Sequence, residues 1–154
     1  MTTTIEIQHN IPAPISLVWS ELEQLDRHVL WMTDAVRIDF QSDQRKGVGT
    51  RFICLTKVGP LSVNDHMTVT KWVDHHAISV EHKGLFKGVG TFSLEAIGPD
   101  WTQVQWHESL DFPLLFGRGL GEAVASPLLR SIWRKNLRRL EETVIPKVNK
   151  ERDS

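Results

Sequence analysis

Ile5, Ile7, His9 and Ile11 alternate with Thr4, Glu6, Gln8 and Asn10, the period-2 mark of a strand with one wet face. Pro12-Ala-Pro14 then leads into Ile15, Leu17, Val18, Trp19 and Leu22, whose spacing is helical; the prolines suit a helix entry. A second short helix fits Asp26 to Trp31. Val36, Ile38 and Phe40 start another strand, closed by the polar turn from Ser42 to Gly47. Strand-like segments follow at about 49–57, 61–72, 76–83, 87–97 and 101–111, separated by Gly59-Pro60, Asp74-His75, Lys83-Gly84 and Gly98-Pro99-Asp100. Connections this short make successive strands antiparallel neighbours, because a parallel crossover needs far more chain.

The last third changes period. Leu129, Ile132, Trp133, Leu137, Leu140 and Val144 fall on one helical stripe. Ser126 can cap such a helix, Pro127 suits its first turn and Pro146 can close it. Leu120 and Val124 project off the stripe if the helix is extended backwards, so a kink or a fresh start is expected at Pro127. The element order is strand, one or two short helices, a run of antiparallel strands, then a long helix. That order predicts an α+β fold with the helices segregated to one side of the sheet.

Composition narrows the function classes. The chain has 154 residues, one domain's worth, expected to span 1–147 with a polar tail at 148–154. A net charge of −1 argues against a nucleic-acid partner held by overall positive charge. The lone Cys54 excludes an internal disulfide and a multi-cysteine zinc site, which leaves the reducing cytoplasm as the default location. No stretch is long and apolar enough for a membrane helix, and the N-terminus lacks the plan of a secretory signal. Six Trp beside six Phe and no Tyr suit a large aromatic-lined interior, although packing alone can use them.

Several segments carry a family resemblance: Ile11-Pro-Ala-Pro-Ile-Ser-Leu-Val-Trp19, Trp31, Gly47-Val-Gly-Thr-Arg51, Gly90-Thr-Phe-Ser-Leu-Glu95, Thr102-Gln-Val-Gln-Trp-His-Glu108 and Asn136-Leu-Arg-Arg-Leu-Glu141. In that order they cover nearly the whole chain, which resembles the START/polyketide-cyclase (SRPBCC) superfamily with its helix-grip fold. The resemblance implies a curved seven-stranded antiparallel sheet wrapped around the C-terminal helix, with a cavity for a hydrophobic ligand. It implies no single activity, since the superfamily holds carriers, lipid-transfer proteins, cyclases and dehydratases.

Strand parity singles out candidate residues. One alternation phase of each strand faces the helix, and a polar side chain in that phase needs a partner. His9, Asp65, His82 and Glu108 stand in such phases, and Asn136 interrupts the apolar stripe of the helix. Arg51 is ambiguous, because its strand is apolar in both phases. Each has an ordinary reading: strand ends meeting solvent for His9 and His82, a backbone hydrogen bond for Asn136, edge donors for Asp65, an ion pair with Arg51 or a lysine for Glu108. The functional reading places Trp106, Phe92, Leu94 and Trp133 around an apolar pocket, with Arg51, His9, His82 and Asn136 as further ligand contacts. There, Asp65 and Glu108 could be the general acid and base of a cyclase or dehydratase. The other reading is a non-catalytic pocket for a lipid, isoprenoid or polyketide-like molecule.

No metal or cofactor is expected. His75 and His76 are adjacent and point to opposite faces of a strand, no chelating histidine pair is spaced on a helix, and no G-x-S-x-G elbow marks a serine nucleophile. Gly117-Arg-Gly-Leu-Gly121 reads as a flexible gate, with Phe112, Leu114, Leu115 and Phe116 as an apolar lip. Residues 1–117 carry a net −5 and residues 118–154 a net +4. Arg130, Arg134, Lys135, Arg138 and Arg139 are either a solvated face or a site of transient contact with an anionic membrane surface. A monomer or a homodimer fits equally.

Overall fold

The computed structural model describes residues 2–112 and 120–154, without side chains at 120–122. Strand β1 (Thr2–Ile11) is followed by α1 (Ile15–Leu22), a 3-10 turn at Leu25–Arg27 and the short α2 (His28–Trp31). Six more strands follow: β2 (Ala35–Phe40), β3 (Arg51–Val58), β4 (Leu61–Val73), β5 (Ala77–Lys83), β6 (Lys87–Gly98) and β7 (Trp101–Asp111). Helix α3 (Leu120–Arg152) closes the chain. The seven strands form one antiparallel sheet in the order β1-β7-β6-β5-β4-β3-β2. This is the expected helix-grip architecture, with α3 lying on the concave face and packing chiefly on β1.

Parity sets the core. In β7 every second residue from Thr102 to Leu110 is buried, and in β1 Ile5, Ile7 and Ile11 are. From α3, Trp133, Leu137, Leu140, Val144 and Val148 meet them at helical spacing. A charged group of α1 also enters this core. Glu21 of α1 is fully buried and accepts from Arg27 Nε at 2.9 Å and Lys147 Nζ at 2.8 Å, tying α1 to α3. A buried carboxylate survives there because two cations share it.

The long helix neither starts afresh at Pro127 nor closes at Pro146. It runs without interruption through Pro127 and Pro146 to Arg152, and Val148, assigned to the polar tail, is buried. Each proline removes one N–H bond to the carbonyl four residues back. Those residues, Ala123 and Glu142, are exposed, so water can satisfy the freed carbonyls. Val124 is 66% exposed, as an unbroken helix demands. The lip residues Leu114, Leu115 and Phe116, with Gly117 to Gly119 of the gate, lie outside the described residues. Of the basic face, Arg130 donates to the Glu6 carbonyl and Arg139 to the Leu30 carbonyl, leaving Arg134, Lys135 and Arg138 exposed. No helix among the described residues is long and apolar enough to cross a membrane.

Candidate functional site

Between the sheet and the N-terminal half of α3 lies a cavity of about 480 Å³. Its walls are largely apolar: Val58, Leu61, Val63 and Met67 from β3 and β4, Leu110 from β7, Leu128 and Leu129 from α3, and Phe86 and Phe112. Four titratable side chains break this lining besides the Cys54 thiol: Asp34, Asp65, His82 and Glu108.

Three of the four converge. His82 Nδ1 lies 2.6 Å from Asp65 Oδ2, and its Nε2 lies 3.2 Å from Glu108 Oε2. A carboxylate oxygen at each ring nitrogen calls for an N–H at both, which is the imidazolium. Burial alone would lower the pKa of His82. The hydrogen bonds and charges of Asp65 and Glu108 outweigh it, and the pKa is pushed up to about 10.

The contact between β5 and β7 crosses a whole strand. Gly88 of β6 stands opposite His82 and Gly90 opposite Glu108. Neighbouring strands are roughly 4.8 Å apart, so side chains two strands away meet only over an intervening strand without side chains of its own. A Cβ on Gly90 would stand 2.6 Å from the Glu108 carboxyl carbon. The two glycines make the floor on which the His82–Glu108 bond rests.

The polar chain continues to α3. Trp106 Nε1 donates to Glu108 Oε1 at 2.9 Å, and its ring stacks on Trp133 with centroids 4.9 Å apart. Trp133 Nε1 in turn donates to Asp34 Oδ2 at 3.3 Å. Asn136 Nδ2 donates to Asp34 Oδ1 at 2.7 Å, while Asn136 Oδ1 accepts from the N–H and the hydroxyl of Thr33, both at 2.9 Å. Burial raises the Asp34 carboxyl above its usual range; the bonds from Asn136 and Trp133 oppose this, and the charge of Glu108 adds to it. Burial also pushes the Cys54 thiol up to about 11, which removes it as a nucleophile at neutral pH. Among the described residues no group of three or more His, Cys, Asp and Glu side chains is arranged to hold a metal ion.

Asn136 is therefore the pin between α3 and the loop before β2. Asn136→Ala should cost about 2 kcal/mol, since it leaves the buried Asp34 carboxyl short of a partner and releases the Thr33 N–H and hydroxyl. Urea denaturation measures this; a change below about 0.5 kcal/mol would mean that water replaces the amide without cost.

Of the residues singled out by parity, Asp65, His82 and Glu108 meet at the cavity, with Trp106 and Trp133 beside them. Asn136 does not line it and acts through Asp34. Phe92 and Leu94 are packed into the core, Phe92 against Trp106 and Trp31. His9 is half-buried at the other edge of the sheet, 3.4 Å from Glu141 of α3. Arg51 is exposed on the outer face of β3, whose inward phase is Phe52, Cys54, Thr56 and Val58, so it does not pair with Glu108. Parity could not find Asp34, because it sits in a loop and has no alternation to break.

Comparisons place this geometry among known proteins. Residues 2–144 match the model of a family described as polyketide cyclase/dehydrase and lipid transport. Solved structures with the same fold include a protein from Thermus thermophilus, with 19% identity, a TM-score of 0.81, and 94% of this chain and 99% of that one covered. A START superfamily protein from Mycobacterium smegmatis has 14% identity and a TM-score of 0.78, covering 93% and 97%. The Zhui aromatase/cyclase from a Streptomyces species has 12% identity and a TM-score of 0.76, covering 96% of each chain. At these identities the likeness is one of fold alone. Curated proteins give no match.

Proposed function

The chain belongs to the polyketide cyclase/dehydrase and lipid transport family, and from that premise we propose that it binds and carries a hydrophobic small molecule, of lipid, isoprenoid or polyketide-like character, between the sheet and α3. One observation carries the reading: an apolar cavity of about 480 Å³ with its polar groups gathered on one wall. Small-molecule sites run from roughly 300 to 1,000 Å³ and combine apolar walls with a few convergent polar groups. The apolar walls would supply the affinity and the polar wall would orient one end of the ligand.

A second reading, cyclase- or dehydratase-type chemistry, draws on the same wall. Asp65 and Glu108 would be its acid and base, joined by Asp34, whose carboxyl burial raises. Carriage is favoured because Asp65 and Glu108 each spend an oxygen on His82. A carboxylate that holds an imidazolium is a poor free base toward a substrate.

Native mass spectrometry of protein purified from its source cells tests carriage. The expected result is a mass excess that denaturation releases as an apolar compound. Protein that is empty as purified, and that has no saturable site for the neutral fluorophore N-phenyl-1-naphthylamine, would overturn it. Glu108→Gln keeps the shape and should alter probe affinity; unchanged affinity with a large loss of stability would make Glu108 a structural partner only.

A further inference from the structure

Resting on the reading that the cavity holds a hydrophobic molecule, we infer that its occupant carries a protonated amine at the end that meets the Asp65–His82–Glu108 wall. Three carboxyl groups and one imidazolium face the cavity, and no lysine or arginine stands among its described lining residues. With Asp65 and Glu108 ionised and His82 protonated, that wall carries a formal −1, and the Asp34 carboxyl lining the same cavity adds to it when ionised. Charge set among apolar walls is costly unless it is balanced. The occupant is the group best placed to balance it.

Donors point the same way. Both N–H groups of His82 go to carboxylates, the Trp106 N–H to Glu108 and the Trp133 N–H to Asp34. The imidazole and indole donors of the wall are therefore spent. What the wall keeps is carboxylate lone pairs, since Asp65 and Glu108 each spend one oxygen on His82. A ligand carboxylate or phosphate would meet acceptors and like charge. An alcohol could donate one bond but would leave the charge unbalanced. An ammonium brings three donors and a positive charge.

The test uses three probes of one chain length, decylamine, decanol and decanoate, each displacing N-phenyl-1-naphthylamine at pH 7.5 and below its micelle concentration. Decylamine is expected to displace the fluorophore about tenfold more strongly than decanol, with decanoate weakest. Asp34→Asn should narrow the amine-to-alcohol ratio severalfold. Equal displacement by decanol, or stronger displacement by decanoate, would overturn the inference while carriage stood. No saturable site for the fluorophore, and no displacement by any of the three, would remove carriage itself. The wild-type comparison is decisive alone if Asp34→Asn fails to fold.

Discussion

Replacing His82 with leucine is expected to cost about 3–5 kcal/mol and to lower Tm by roughly 10 °C, because it removes the cation that two buried carboxylates share. The triple change Asp65→Val, His82→Leu, Glu108→Leu should recover most of that loss, since a buried ion network can be exchanged for apolar packing at little cost. Recovery of stability with loss of probe selectivity would mean that the wall is kept for its ligand. Failure to recover would make it a keystone of the fold.

The same contact sets a pH dependence. His82 titrates near 6.5 when unfolded and near 10 when folded, so its contribution is whole below about pH 6.5 and is lost as pH rises toward 10. His28 acts in the opposite sense. It is buried against Trp31 and beside the Leu22 carbonyl, and burial lowers its pKa to about 4. Its contribution is present above pH 6.5 and is lost as pH falls to about 4. Thermal melts across pH should therefore peak near neutrality. His82→Leu should flatten the alkaline limb; an alkaline limb that persists in the variant would assign it to other groups.

How far the site can be read from the sequence follows from what parity encodes. Alternation reports which face of the sheet a residue takes, and it placed Asp65, His82 and Glu108 inward because β4, β5 and β7 each keep one apolar phase. It does not report position across the sheet. His9 gives the same signal as His82, yet β1 is an edge strand and its histidine meets Glu141 instead of the cavity. Convergence depends on strand order and on two glycines, whose shared trait is the lack of a side chain. Arg51 could not be placed because both phases of β3 are apolar. At Ser126-Pro127 a local start signal lies inside a helix that is already running. The helix tolerates the proline because the carbonyl it frees belongs to an exposed residue.

Those two glycines separate the demands of the fold from those of the site. A Cβ on Gly88, whose φ is 153°, would lie 2.9 Å from the Ser109 carbonyl carbon and 3.0 Å from the Leu110 Cα, with the Ser109 oxygen closer still. These are backbone atoms, so Gly88→Ala can be accommodated only by parting β6 from β7. A loss on the order of 3 kcal/mol or more is expected whatever stands at position 108. The three atoms nearest a Cβ on Gly90 all belong to the carboxyl group of Glu108. Gly90→Ala should therefore push that carboxylate off His82 and the Trp106 N–H, cost about 1–3 kcal/mol and weaken probe binding. In a Glu108→Ala background the carboxylate is gone, and the cost of Gly90→Ala should fall close to zero while that of Gly88→Ala stays. A double-mutant cycle reads the difference directly. Equal cost of Gly90→Ala in both backgrounds would trace its glycine requirement to the backbone, and the His82–Glu108 bond would not be what that glycine protects.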